Sequence, residues 1–417
     1  MATSLLSFVL SILLLSQIAI SAVKKGCRIS ISDIDEDSPI ILRHRNQRNM
    51  SPFLTINSPG TDDILLSSGE GVRFACPDAD TNKVIIEGLP DLSYEVVAYC
   101  KKDSTFTVNS TPFDFKDIRC EKPPQSTIQE QRRCEIGTGK LLNIGFKLKR
   151  KFFGIVQVCY NPDKHRAHNV MHLVSREIQS RETDNPRSSH FSSANFGKDL
   201  QEVPDTFYTC KKQLDNFAYL LGSTAQARKY IVCGSYYLTR GHLAPNADFM
   251  FGYQQKATSY YINTAPQWHT INSGNWKILE GAIRKYAGNM NTDLTVVTGT
   301  LNVGTLPNVK TEEKPLYMVR DKDDKPTVPV PALFWKLVVD KSRYNGIVFV
   351  GVNDPHHINV EKMDYIICKD VCDKTTSWFD GWDRFKVARG YVYCCTVADF
   401  SASTGIKIPF KIKKLLV

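Results

Sequence analysis

Apolar positions along the chain fall into three patterns, each predicting a different kind of element. The first is an almost unbroken apolar run over residues 5–20, inside a 1–22 segment that carries no charged side chain. That run is shorter than the roughly 20 residues needed to span a bilayer. Ser21 and Ala22 follow it, and then Lys24 and Lys25. It predicts a cleaved signal peptide over 1–22. An uncleaved anchor is the alternative, because the amino terminus supplies the only positive charge ahead of the run. No later segment is long and apolar enough to span a membrane, so the mature form is expected to be free of it.

The second pattern is a series of short β-prone runs separated by turn formers. Val72-Arg-Phe-Ala-Cys76, Lys83-Val-Ile-Ile86, Tyr94-Glu-Val-Val-Ala-Tyr99 and Phe106-Thr-Val108 predict a β-rich N-terminal domain over 23–135, of unassigned role. The polar, proline-bearing stretch 121–133 reads as a linker. Strands resume with Ile144-Gly-Phe-Lys-Leu148 and Phe153-Gly-Ile-Val-Gln-Val-Cys-Tyr160. Further strands are expected at Leu294-Thr-Val-Val-Thr-Gly299, Leu333-Phe-Trp-Lys-Leu-Val-Val339 and Gly346-Ile-Val-Phe-Val-Gly351. The third pattern is helical: Trp276, Leu279, Ile283 and Tyr286 recur on one face, with Asn272 or Ser273 where an N-cap belongs. Strands and helices mix without a regular βαβ alternation, so residues 136–417 are expected to form an α+β domain around a mainly antiparallel sheet.

Composition sharpens this picture in two ways. Twelve cysteines, an even number, behind a secretory signal point to disulfides, with connectivity left open. Five of them fall within 23–135, so one pairs across the boundary or the boundary is misplaced. A structural zinc on His356, His357, Cys368 and Cys372 is the rival reading. The net charge of +10 suits a polyanionic partner such as nucleic acid, and equally suits simple solubility. Asn49-Met-Ser51 and Asn109-Ser-Thr111 are glycosylation sequons. The basic run Lys147-Leu-Lys-Arg-Lys151 reads as a solvated strand face.

The chemistry concentrates between residues 239 and 284. If the helix begins at Asn272, then Asn272, Glu280 and Arg284 share one side of it at about 100° per residue. A neutral oxygen ligand, a carboxylate and a guanidinium together suit metal-assisted phosphodiester hydrolysis. A hard divalent cation accepts an amide oxygen and waters, arginines clamp phosphate oxygens, and a neutral imidazole such as His242 can deprotonate water near pH 7. Taken singly, Asn272 fits a helix cap and Glu280 with Arg284 a surface i,i+4 pair; the ordered set is far more specific. Trp378 and Trp382 could stack on bases, but core packing is the simpler assignment.

Arg240-Gly241-His242, Asn263-Thr-Ala-Pro266-Gln267, and Asn272 through Trp276, Leu279 and Glu280 to Arg284 together resemble the signature of the DNA/RNA non-specific endonucleases of the ββα-metal class. The resemblance covers roughly residues 136–417 and is closest to the secreted arthropod double-stranded RNases. It implies a central sheet flanked by helices, with a catalytic hairpin and helix on one face. It implies His242 as general base, Asn272 as the direct ligand of Mg²⁺ (or Mn²⁺), and Glu280 holding metal-bound water. Arg240 and Arg284 would contact phosphate, and Asn263 would belong to the catalytic set. The expected activity is secreted, Mg²⁺-dependent endonucleolytic cleavage of RNA, double-stranded RNA included, and DNA, leaving 5′-phosphates. Thr239 stands where the family usually has Asp, which motivates the alternative: a catalytically weak homologue that binds and sequesters nucleic acid.

Overall fold

The computed structural model describes residues 26–45, 51–57, 61–77, 81–90, 92–131, 133–134, 136–137, 139–183, 190–356, 365–375, 378–379 and 382–417. Segment 1–22, Asn49 and His357 lie outside the described residues. The chain divides into two compact units, Met1–Pro124 and Gln125–Val417.

The first unit is built from β-strands. Strands Ile40–Arg43, Gly71–Ala75, Glu95–Lys102, Thr105–Val108 and Thr111–Asp114 form one antiparallel sheet in that spatial order. Alternation along Glu95–Lys102 turns Val96, Ala98 and Cys100 inward, where they are buried along with Phe74, Phe106 and Phe115. Disulfides Cys27–Cys100 and Cys76–Cys120 cross-link the unit. Its Asp and Glu outnumber its Lys and Arg, so the positive excess of the chain resides in the second unit.

The second unit is organised by a nine-stranded sheet. Eight strands run in the order Thr127–Gln131, Lys140–Leu148, Lys151–Asn161, Arg166–Val174, Leu294–Val303, Pro331–Asp340, Asn345–Val352 and Val392–Cys395, all antiparallel. The ninth, Lys414–Leu415, pairs parallel with Asn345–Val352. The unit is thus α+β with a mainly antiparallel sheet. Because side chains alternate across a strand, each central strand serves both faces. Trp335, Leu337 and Val339 join Val297, Val348, Val350, Tyr393 and Phe400 in an apolar core on one side. On the other, Trp276 of the helix Asn275–Asn289 lies against Phe334 and over Gly351.

Several expectations need correction. The stretch 121–133 contains the strand Thr127–Gln131, whose polar side chains suit the outermost position in the sheet. Cys134 pairs with Cys159 inside the second unit, which resolves the odd cysteine count of 23–135. The remaining bridges are Cys210–Cys233, Cys368–Cys395 and Cys372–Cys394, so the cysteines of the rival zinc site are consumed as disulfides. The basic run 147–151 spans the end of one strand and the start of the next: Lys147 and Lys151 are exposed strand positions, and Lys149, at φ 49°, and Arg150 form the turn between them. Trp378 is buried and stacks on Tyr286 at 4.0 Å, as core packing requires.

Candidate active site

Between the neighbouring strands Arg166–Val174 and Leu294–Val303 the chain makes one long excursion, and all the motif residues lie in it. Its neck is closed by Arg176, whose guanidinium donates to both carboxylate oxygens of Asp293 at 3.1 Å. Within it, Leu238–His242 and Thr264–Trp268 pair as an antiparallel hairpin, with Thr239 opposite Gln267 and His242 opposite Thr264. Gly241 is required there: a Cβ would lie 2.7 Å from the Cβ of Gln267, which cannot swing away.

Three buried amides hold this hairpin, two against neighbouring elements and one within its own connecting segment. Gln213 donates to the Leu238 carbonyl at 2.8 Å and accepts from its N–H at 2.7 Å. Asn353 accepts from the Trp268 N–H at 3.1 Å and donates to the carbonyls of Pro266 and Pro331. Asn263 is fully buried; it donates to the carbonyls of Ala244 and Thr258 at 2.9 Å and accepts from the Ala244 N–H at 3.0 Å. The Asn263 amide is therefore spent on the backbone just beyond His242. Buried amides satisfied in this way hold one geometry, because every alternative leaves a polar group unpaired.

His242 is half-buried at the end of its strand, its ring 5.1 Å from that of Phe191. Arg240 lies two residues away and so on the same face. Its guanidinium sits 4.7 Å over the Phe191 ring and donates to Asp205 at 2.7 Å and to the Tyr261 hydroxyl at 3.2 Å. Tyr261 in turn donates to Asp205.

Asn272 is not part of the long helix. It closes a single turn, His269–Asn272, and the helix proper, Asn275–Asn289, starts after Gly274. A Cβ at Gly274 would lie 2.3 Å from the Thr270 carbonyl oxygen and 2.6 Å from that of Arg389, so the chain breaks where only glycine fits. The single helical wheel carrying Asn272, Glu280 and Arg284 is thus corrected: Glu280 and Arg284 share the helix, and Asn272 is tied instead to the hairpin. Its Nδ2 donates to Thr239 Oγ1 at 3.1 Å. No hydrogen bond reaches its Oδ1 among the described residues.

Beneath the helix lies a buried polar layer that the motif did not reveal. Arg284 donates to Asp248 Oδ1 at 2.7 Å, and His172 Nε2 lies 2.8 Å from the other oxygen. Burial alone would raise the Asp248 carboxyl, but His172 and Arg284 hold it at about 2. Lys336, fully buried, donates to Thr298 at 2.6 Å and stands 4.0 Å from Glu280. Burial pushes the Glu280 carboxyl up to about 7 against the pull of Lys336 and Arg284. Among the described residues Glu280 accepts no hydrogen bond. One signal for this layer was in the sequence: Lys336 interrupts the apolar run Leu333–Val339. His172 comes from a distant strand, and Asp248, though inside the 239–284 stretch, belongs to none of the motif's spacings.

A partly buried carboxylate and an amide oxygen, neither hydrogen-bonded among the described residues, are hard-oxygen donors that suit a hydrated divalent cation. With an imidazole and two guanidiniums on the same excursion, hairpin and helix define a ββα nuclease. The chain belongs to the DNA/RNA non-specific endonuclease family, whose sequence profile matches residues 137–400, and it is accordingly a phosphodiester hydrolase. It is similar to a salivary endonuclease of Lutzomyia longipalpis, 30% identical over 94% of this chain and 88% of the relative. A salivary endonuclease of Culex quinquefasciatus is 24% identical over 96% of both chains. Salivary protein Tsal2A of Glossina morsitans morsitans is 28% identical over 90% of both. A crystal structure of the EndoG/EndoGI complex matches with TM-score 0.35 and 15% identity, over 63% of this chain and 87% of that one.

Proposed function

We propose that the protein is a secreted, Mg²⁺-dependent endonuclease that cuts RNA, double-stranded RNA included, and DNA. The observation that carries this reading is the hydrogen bond from Asn272 to Thr239, which ties the turn ahead of the Glu280 helix to the strand bearing His242 and Arg240. Asn272 would hold the cation through Oδ1, and Glu280 would accept from its water shell. A bound Mg²⁺ or Mn²⁺ supplies Lewis-acid stabilisation of charge on phosphate oxygens.

His242 takes a proton from the water that attacks phosphorus. As the new O–P bond forms, the bond from phosphorus to the 3′-oxygen breaks, that oxygen takes a proton from a solvent water, and the phosphate stays on the 5′ side. Arg240 and Arg284 hold non-bridging oxygens. Arg284 is aimed by buried Asp248, whereas Arg240 exchanges the exposed Asp205 for substrate. Asn263 acts by holding the backbone after His242 in place.

Secretion is supported by six disulfides and by relatives named as salivary proteins. No described helix is long and apolar enough to cross a membrane. Asn109 sits exposed in a turn, where a glycan can be attached. The test is degradation of double-stranded RNA and of plasmid DNA with and without EDTA. Cleavage lost with chelator and with His242→Ala, while low-salt binding persists, supports the reading; chelator-resistant cleavage overturns it.

A further inference from the structure

We infer that Thr239 selects which end of the Asn272 amide faces the cation, and so takes over by hydrogen-bond direction a position where the family usually has Asp. This rests on the reading of Asn272 as the metal ligand. A hydroxyl has one proton to give and lone pairs to accept with. The Thr239 hydroxyl donates to the Gln267 carbonyl at 3.0 Å, directly across the hairpin. Only its lone pairs remain toward Asn272, so the amide must present Nδ2 there, as the 3.1 Å contact has it. The opposite flip would set Oδ1 against those lone pairs and leave an N–H₂, which cannot ligate a cation, at the metal position.

The rest of the turn is already fixed. His269 donates from its backbone to the Tyr237 carbonyl at 2.8 Å, and the Ser273 N–H and hydroxyl both donate to the His269 carbonyl. With the main chain held, rotation of the amide is the freedom that remains, and the Thr239 hydroxyl removes it. A carboxylate at position 239 could accept from Nδ2, but it has no proton for the Gln267 carbonyl. Threonine satisfies both partners without adding charge beside the cation. Thr239 is thus a positioning residue: it leaves the site intact for nuclease chemistry while omitting a negative charge.

The experiment measures Mn²⁺ binding by electron paramagnetic resonance, independent of turnover, on the full chain. Thr239→Val should weaken binding by about tenfold to a hundredfold, the usual cost of losing a group that orients a ligand, and Thr239→Ser should stay within about twofold of wild type. In an Asn272→Asp background, where either end of the side chain is an oxygen, Thr239→Val should cost almost nothing. An equal loss in both backgrounds would show that the hydroxyl does not act through the amide flip. Wild-type binding by Thr239→Val, with binding abolished in Asn272→Ala, would sink the inference alone. Unchanged binding in Asn272→Ala would sink the reading of the site beneath it. Melting curves check folding, and Thr239→Ala is read in the same way should the valine variant fail to fold.

Discussion

Trp335 and Lys336 are consecutive in one strand, both buried, and they face opposite sides of the same sheet. Trp335 packs in the apolar cluster with Leu337, Val339, Val348, Val350 and Tyr393, and with Phe400 at 5.2 Å between ring centroids. Around Lys336 stand Thr298, Glu280 and the Trp276 ring, with His172, Asp248 and Arg284 in the same layer. The first face gains stability by removing apolar surface from water. The second buries charge, which costs free energy unless each group is paired. The comparison teaches where this protein gives up stability to hold reactive groups in place, as active sites commonly do.

The contrast can be broken most directly by truncating each side. Trp335→Ala should destabilise by about 3–5 kcal/mol, as large aromatic deletions in cores do, with turnover per folded molecule unchanged; a chemical denaturation series measures it. Asn272→Ala should do the reverse, lowering turnover on the order of 10²–10³-fold while leaving the melting temperature near wild type. If both variants lose stability alike, the two faces are not functionally separate.

Glu280 sharpens the comparison through pH. Its folded carboxyl is raised from the usual carboxylate value to about 7, so the folded state holds the proton more tightly than the unfolded one. Stability is then fully present below about pH 4.5 and is lost as pH rises towards 7, by up to on the order of 3 kcal/mol. In chelator, Glu280→Gln should therefore match wild type near pH 4 and exceed it at pH 8. Equal melting temperatures at pH 8 would show that Glu280 is not a strained group. The smallest effect belongs to the neck of the excursion. Arg176→Ala should cost at most about 1 kcal/mol, since exposed ion pairs contribute little, and should leave cleavage intact.

The motif was legible because its parts are local. Arg240, Gly241 and His242 fall on one strand, and Trp276, Leu279, Ile283 and Tyr286 mark a helix face that is buried as their spacing demands. The break at Gly274 was not legible, because Ser273-Gly274 can continue a helix, and the Arg389 backbone that leaves no room for a side chain there arrives from over a hundred residues away. The Thr239 contacts were hidden for a related reason: its hydroxyl bonds Asn272 and Gln267, which lie about thirty residues further along the chain. Disulfide partners and the polar layer were hidden in the same sense: pairing across a sheet is set by register, not by sequence distance.

The excursion between strands Arg166–Val174 and Leu294–Val303 also bears on how the molecule folds and changes. Those strands pair residue for residue, from Asn169 with Gly299 to Val174 with Leu294, so the sheet closes only when chain ends far apart in sequence meet. Closing a longer loop costs little at equilibrium, about 0.6 kcal/mol for each doubling of its length. The burden falls on rate instead, because distant pairings slow the search for the native arrangement. Lineages can therefore lengthen or rebuild this insert, and with it the reach of the active site, while the sheet keeps its stability and merely assembles more slowly.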